Sequence, residues 1–107
     1  MRALAAAALL LLAACASATT QPPTRSAPLV PTQTGVDVPG TGREIGFGRS
    51  LPGARAALDR LYGPSDALGC AGGGTVLLLA DGLELHFPAG TFTGWRQGEQ
   101  SAGRLCA

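Results

Sequence analysis

The chain begins with a short apolar segment that ends at a cysteine, and this segment decides how much of the chain is left to fold and in which compartment. A single charged residue, Arg2, precedes an unbroken apolar run from Ala3 to Leu12. A charged start, a short apolar core and small residues before a cleavage point are typical of a secretory signal peptide. The run is about half as long as the ~20 residues that a membrane-spanning helix needs. We therefore predict a signal peptide over residues 1–14.

The residues around the expected cleavage point resemble a more specific signal, the lipobox of bacterial lipoproteins. The matching stretch is Leu12-Ala13-Ala14-Cys15, an aliphatic residue and two small residues before a cysteine. The resemblance implies that a diacylglycerol is attached to the thiol of Cys15 and that the new amino group is acylated as well. Several acyl chains hold a protein stably on a membrane, whereas one chain gives only reversible attachment. The alternative is a plain signal peptide cleaved near Ala14, Ala16 or Ala18, in which the cysteine is incidental.

The residue after the cysteine bears on the choice of membrane. In Gram-negative lipoproteins an Asp at this position retains the protein in the inner membrane, and here the position holds Ala16. The resemblance therefore implies a lipid-anchored protein on the periplasmic face, with the outer membrane favoured over the inner one.

The segment that follows is polar and rich in proline. Residues 15–43 contain mostly Thr, Ser, Pro, Gln and Gly, and their apolar residues show no sustained period. Such a segment cannot bury enough apolar surface to offset its ordering entropy. We predict a disordered tether that follows the lipidated cysteine and leads to a small folded domain over residues 44–107.

The sequence predicts one helix, because a start signal, an apolar face and a stop signal follow one another at helical spacing. Ser50 is a good N-cap, and Pro52 is acceptable in the first turn. Between Leu51 and Tyr62, apolar residues recur along one helical face. Gly63 suits the left-handed position after a helix, and the proline that follows it prevents continuation.

A hairpin is indicated by Asp81-Gly82 between the strand-like runs 75–80 and 83–87, since Asp-Gly is a strong turn signal. A two-residue turn pairs Leu78 with Leu85 and places them on one apolar face. A third strand is expected over residues 91–96. The simplest fold is thus α+β, with one helix packed on a three-stranded antiparallel meander.

The number of cysteines indicates a disulfide bond in this small domain. The chain has three cysteines, and once Cys15 is assigned to lipid, Cys70 and Cys106 are left as a pair. In an oxidising compartment an even pair indicates a disulfide. The alternative is two free thiols, but Cys-x-x-Cys is absent from the sequence and Cys70 has glycines rather than Lys or His beside it.

The sequence contains few residues suited to catalysis or metal binding. His86 is the only histidine, which is too few for an ordinary zinc site once two cysteines are disulfide-bonded. The available serines, Ser50, Ser65 and Ser101, lie outside any nucleophile-elbow motif. We expect His86 on the solvent-facing side of the hairpin, and we predict a non-enzymatic protein without metal or cofactor. With eight basic and seven acidic side chains and no basic block, the chain is not expected to bind nucleic acid.

Trp95 is the candidate for partner binding. If Phe92 faces the helix, Trp95 faces away from it, towards Leu77, Leu79 and His86. That face is unusually apolar for a solvated surface. We expect either that the C-terminal tail (residues 97–107) covers it or that Trp95 belongs to a partner-binding patch.

The order Gly48-Arg49-Ser50, helix, Leu61-Tyr62-Gly63-Pro64 and then a cysteine-containing loop and strands resembles small bacterial envelope lipoproteins of the SmpA/BamE-like kind. The resemblance covers about fifteen residues and implies an α+β layout. The functional prediction is an envelope lipoprotein whose domain binds or supports another envelope component. The alternatives are a small periplasmic inhibitor or ligand-binding module and, third, an enzyme that uses His86.

Overall fold

A computed structural model describes residues 27–106 of the chain. The predicted signal peptide and Cys15 lie outside this range. The described residues form one helix and eight short strands in two antiparallel sheets. In chain order the elements are β1 (Val30–Pro31), β2 (Gly35–Val38), β3 (Arg43–Gly46), α1 (Leu51–Tyr62), β4 (Asp66–Gly69), β5 (Thr75–Leu78), β6 (Glu84–Phe87), β7 (Gly94–Gln97) and β8 (Gln100–Gly103).

The first sheet corrects the expectation of a disordered tether. Strands β1, β2 and β3 pair in that order, with Val36 opposite Ile45. Val36, Val38 and Ile45 are buried while Asp37 is exposed, which is the alternation of a strand with one face on a core. The strands are too short for this alternation to stand out among the surrounding prolines. Their apolar face is stabilised by the second sheet and not by the segment itself.

Helix α1 forms as predicted. The Gly53 N–H donates to the Ser50 hydroxyl at 3.2 Å, which satisfies one of the free donors of the first turn. At the other end Gly63 has φ 80° and its N–H donates to the Asp59 carbonyl. Ala54 and Leu58 are fully buried against the sheets.

The expected three-stranded meander is wrong, because the second sheet has five strands in the order β4-β5-β6-β7-β8. The additional strands are β4, which was expected to be loop, and β8, which was expected to be tail. Both are four residues long, and neither shows an apolar run. The described chain is therefore mostly β, with a single helix packed on two sheets.

The β5–β6 hairpin forms at the expected place but in another register. Its loop has three residues, since Leu79 and not Ala80 pairs with Leu83. Gly82 takes φ 87°, as in hairpins that combine a type I turn with a bulge. A slip of one residue reverses the faces of a strand, and Leu77 consequently pairs with Leu85. This register buries Leu77, Leu83, Leu85 and Phe87 completely, which explains why it is favoured.

The two sheets are joined by backbone pairing and share one core. Gly48 donates its N–H to the Phe92 carbonyl, and Phe92 donates to the Arg49 carbonyl, both at 2.8 Å. The Phe92 ring packs against Phe47 edge-on and against Phe87 in a stacked arrangement, with centroids 5.0 and 5.4 Å apart. Apolar side chains from both sheets and α1 form a single cluster.

Candidate functional site

Trp95 lies inside the core and not on a free surface. It is 4% exposed and sits opposite Leu85 and Ala102 on the inner face of the second sheet. Its indole N–H donates to the Thr32 carbonyl at 2.7 Å, so the turn between β1 and β2 covers it. Both expectations for Trp95 are wrong, since its cover is the first sheet and not the C-terminal tail, and its side chain is not available to a partner.

Cys70 and Cys106 are paired at disulfide distance, as predicted, with their Cα atoms 5.6 Å apart and 36 positions apart in sequence. The bond ties the residue after β4 to the C-terminal tail. Closing a loop of this length lowers the entropy of the unfolded chain by an amount equivalent to roughly 4 kcal/mol in the chain-entropy model.

The expectation that His86 faces solvent is wrong, since its side chain is only 5% exposed and the C-terminal tail contacts its ring. Its Nδ1 accepts the Cys106 backbone N–H at 3.1 Å, and its Nε2 lies 3.0 Å from Glu84 Oε1. An Nδ1 that accepts leaves the proton of a neutral ring on Nε2, which then donates to Glu84. Arg96 pairs with the same carboxylate at 3.1 Å. Both ring nitrogens are thus engaged, and the imidazole anchors the disulfide-linked tail.

A shallow cleft of about 550 Å³ lies where the C-terminal end of α1 meets the β5–β6 loop. Its walls include Tyr62, Ser65, Leu79 and Asp81. The Tyr62 hydroxyl donates to the Ala27 carbonyl at 2.7 Å. Burial, followed by the charge of Asp81, raises the pKa of Tyr62 above its ordinary 10.0. The Ser65 hydroxyl is buried without a hydrogen-bond partner among the described residues.

Strand β4 is the most accessible element of the second sheet. All four of its residues are exposed, and Leu68 is 47% exposed. Among residues 27–106 its one pairing partner is β5, so within this part of the chain its other side is a free sheet edge. The glycine run 72–74 forms the turn that follows; Gly74 has φ 97° and lies against the Pro88 carbonyl, where a Cβ atom would not fit.

The pairing pattern identifies which backbone groups of β4 are free. The Cys70 N–H donates to the Gly74 carbonyl at 3.3 Å. Hydrogen-bonded and non-hydrogen-bonded pairs alternate along an antiparallel ladder. Leu68 lies two residues before Cys70 and is therefore also hydrogen-bonded to β5, whereas Ala67 and Gly69 occupy the non-hydrogen-bonded positions. The N–H and C=O groups of Ala67 and Gly69 therefore point away from β5, towards the free edge.

This edge is the feature that sequence reasoning missed. The stretch Asp-Ala-Leu-Gly has no β-branched or aromatic residue, and only Leu68 is a large apolar side chain. Its strand conformation is imposed by pairing with β5 and by the disulfide that follows it.

Residues 27–106 contain no group of three or more His, Cys, Asp or Glu side chains that could hold a metal ion. Within the same range, no helix is long and apolar enough to cross a membrane. Comparisons with protein-family models, curated proteins and solved structures find no match. The resemblance to SmpA/BamE-like lipoproteins therefore stays a prediction.

Proposed function

We propose that the protein is a lipid-anchored envelope lipoprotein whose folded part is a non-enzymatic binding or structural module in the periplasm. The observation that carries the proposal is the stretch Leu12-Ala13-Ala14-Cys15 at the end of a short apolar segment. The two small residues provide the cleavage point, and the cysteine that follows them provides the thiol that is lipidated.

The cysteine arrangement supports the proposal independently of the lipobox. Of the three cysteines, Cys70 and Cys106 are at disulfide distance. A disulfide between them agrees with an oxidising compartment such as the periplasm. It also leaves Cys15 as the remaining cysteine of the three.

The anchor is tested by labelling cells with a radioactive fatty acid such as palmitate. We expect label on the wild-type chain and on Ser17→Ala, a neighbouring control, and no label on Cys15→Ser. Equal labelling of Cys15→Ser and the wild type would show that the cysteine is incidental and that the segment is a plain signal peptide.

Outer-membrane sorting is tested at the next residue. If the protein follows the Gram-negative rule, Ala16→Asp moves it from the outer-membrane to the inner-membrane fraction, while Ala16→Ser leaves it in place. Wild-type protein in the inner-membrane fraction would contradict the proposed location.

A binding role is supported by the free edge of β4, because an exposed strand with unpaired backbone groups is a ready template for another chain. A non-enzymatic role is supported by His86, whose two ring nitrogens are both occupied by Glu84 and Cys106. We expect crosslinking of intact envelopes followed by capture of the protein to recover an envelope component. Recovery of no component across growth conditions would count against the proposal.

The second candidate is a small inhibitor or ligand-binding module. The observation that favours it is the exposure of residues 66–74, in which Cys70 alone is buried. It predicts that the purified chain binds a soluble periplasmic enzyme or a small molecule, and that insertion of glycines in the turn 71–73 removes this binding without unfolding the protein.

A further inference from the structure

We propose that β4 pairs with β4 of a second copy of this chain, antiparallel and centred on Leu68, so that the two five-stranded sheets continue into one. The inference deepens the proposed binding function, since it names the partner of the free edge.

Among the sheet edges of residues 27–106, β4 is the least protected against pairing. Natural edges are protected by proline, charge, short length or local distortion. Strand β1 has two residues, one of them Pro31, and β3 carries Arg43 and Glu44. Strand β8 ends at Gly103, whose φ of 75° departs from extended backbone. Strand β4 is regular, fully exposed, and charged only at Asp66.

The free backbone groups of β4 are self-complementary. Ala67 and Gly69 present their N–H and C=O groups outward, one on each side of Leu68. An antiparallel copy centred on Leu68 places Ala67 opposite Gly69 of the other copy, and symmetry repeats this pair. Residues opposite each other in such positions exchange both backbone hydrogen bonds. The same surface thus serves both partners, as a two-fold interface requires.

The side chains select this register over its neighbours. At the centre, Leu68 faces Leu68 of the other copy in a non-hydrogen-bonded pair, where side chains approach most closely. Pairing centred on Ala67 would instead place Leu68 opposite Asp66 of the other copy. An apolar side chain would then lie against a charged carboxylate, which is a less favourable contact. With the centre on Leu68, the two Asp66 side chains are four positions apart along the strands, about 13 Å, which is beyond the physiological screening length of about 8 Å.

The interface is small, and we therefore expect association to depend on local concentration. One strand per copy buries less area than the ~1,200 Å² of a stable complex. Confinement of both chains to one membrane by the proposed anchor raises their effective concentration. The dimer is consequently expected in membranes at native expression levels and, without the anchor, only at high protein concentration.

The test is site-specific photo-crosslinking of the full chain in native membranes, with p-benzoylphenylalanine at position 68. The matched control carries the probe at position 30, because Val30 is also exposed, at 51%, but lies on the other sheet. We expect the probe at position 68 to give a crosslinked product of twice the chain mass. Mass spectrometry of this product should identify peptides of one copy joined to peptides of the other. The probe at position 30 should give at most a tenth as much of it.

A second variant tests the hydrogen bonds. Ala67→Pro removes an N–H that β5 does not use, so the fold keeps its own bonds. Combined with the probe at position 68, we expect Ala67→Pro to lower the product at least ten-fold and Ala67→Ser to preserve it. The proposal would be overturned if no chain-to-chain product formed, or if position 68 crosslinked to another protein instead. It would also be overturned by equal yields from both probe positions, or by an Ala67→Pro variant that leaves the yield unchanged.

A final arm separates failure of this inference from failure of the anchor. The purified Cys15→Ser chain carrying the probe at position 68 is crosslinked over a range of concentrations. A product that rises with concentration supports β4 pairing even if fatty-acid labelling fails. If labelling succeeds and this product is absent at every concentration, the pairing is wrong and the anchor stands.

Discussion

Truncation of Val36 tests whether residues 29–46 form a sheet on the core or a tether. Val36 is fully buried on β2, within the cluster that includes Trp95. Val36→Ala removes two methyl groups, worth about 1.6 kcal/mol of transfer free energy, and leaves a cavity that adds to the loss. We expect the free energy of unfolding to fall by about 2–3 kcal/mol.

The matched control is Val30→Ala, which makes the same chemical change in the same sheet. Val30 is 51% exposed, and surface substitutions usually change stability by less than about 0.5 kcal/mol. The contrast between the two variants therefore measures burial rather than residue type.

The assay is urea unfolding of the full-length chain, followed by fluorescence. The chain has a single tryptophan, Trp95, which is covered by the β1–β2 turn. Its emission should shift to longer wavelength as the two sheets separate. For a domain of this size a loss of 2–3 kcal/mol also lowers Tm by roughly 10 °C or more. Equal midpoints for Val36→Ala and Val30→Ala would refute the packed first sheet and restore the tether.

Three further predictions concern the second sheet and its borders. Cys106→Ser should lower the free energy of unfolding by roughly 4 kcal/mol, and the reduced wild type should unfold at the same urea concentration as this variant; no difference from the oxidised wild type would contradict a structural role for the disulfide. Because the pKa of Tyr62 is raised in the folded protein, the folded state holds its proton more tightly. Stability from this group is present below about pH 10 and falls as the pH rises above it, and Tyr62→Phe should flatten that fall in urea titrations between pH 9 and 11. Gly74→Ala should be more destabilising than Gly72→Ala by at least about 2 kcal/mol, since both have positive φ but only Gly74 lies against backbone atoms; equal thermal midpoints would contradict this packing.

Local signals predicted the helix completely and the hairpin only in part. The N-cap, the apolar face and the terminal glycine of α1 all act within a few residues of one another, so they are readable in the sequence. Asp81-Gly82 indicated a turn, but a two-residue and a three-residue loop are both compatible with it. The choice between them depends on which leucines reach the core, and this is settled by the helix and the first sheet.

The strands β2, β4 and β8 could not be predicted, because none of them has the apolar run of β5 or the Asp-Gly turn that marks the β5–β6 hairpin. Strands β4 and β8 depend on pairing with their neighbours β5 and β7, and β2 depends on a core that is shared with the second sheet. Trp95 shows the same limit: its apolar environment was expected, but its cover comes from Thr32, more than sixty positions earlier.

The sequence by itself determined the lipobox resemblance, the helix, and the pairing of Cys70 with Cys106, since each depends on residue type and short spacing or on counting. Tertiary structure decided that residues 29–46 fold, that Trp95 is buried, and that β4 is left as a free edge. The physical reason is that burial and strand pairing are properties of two surfaces together. A short strand without a strong pattern acquires its structure only when another part of the chain supplies the second surface.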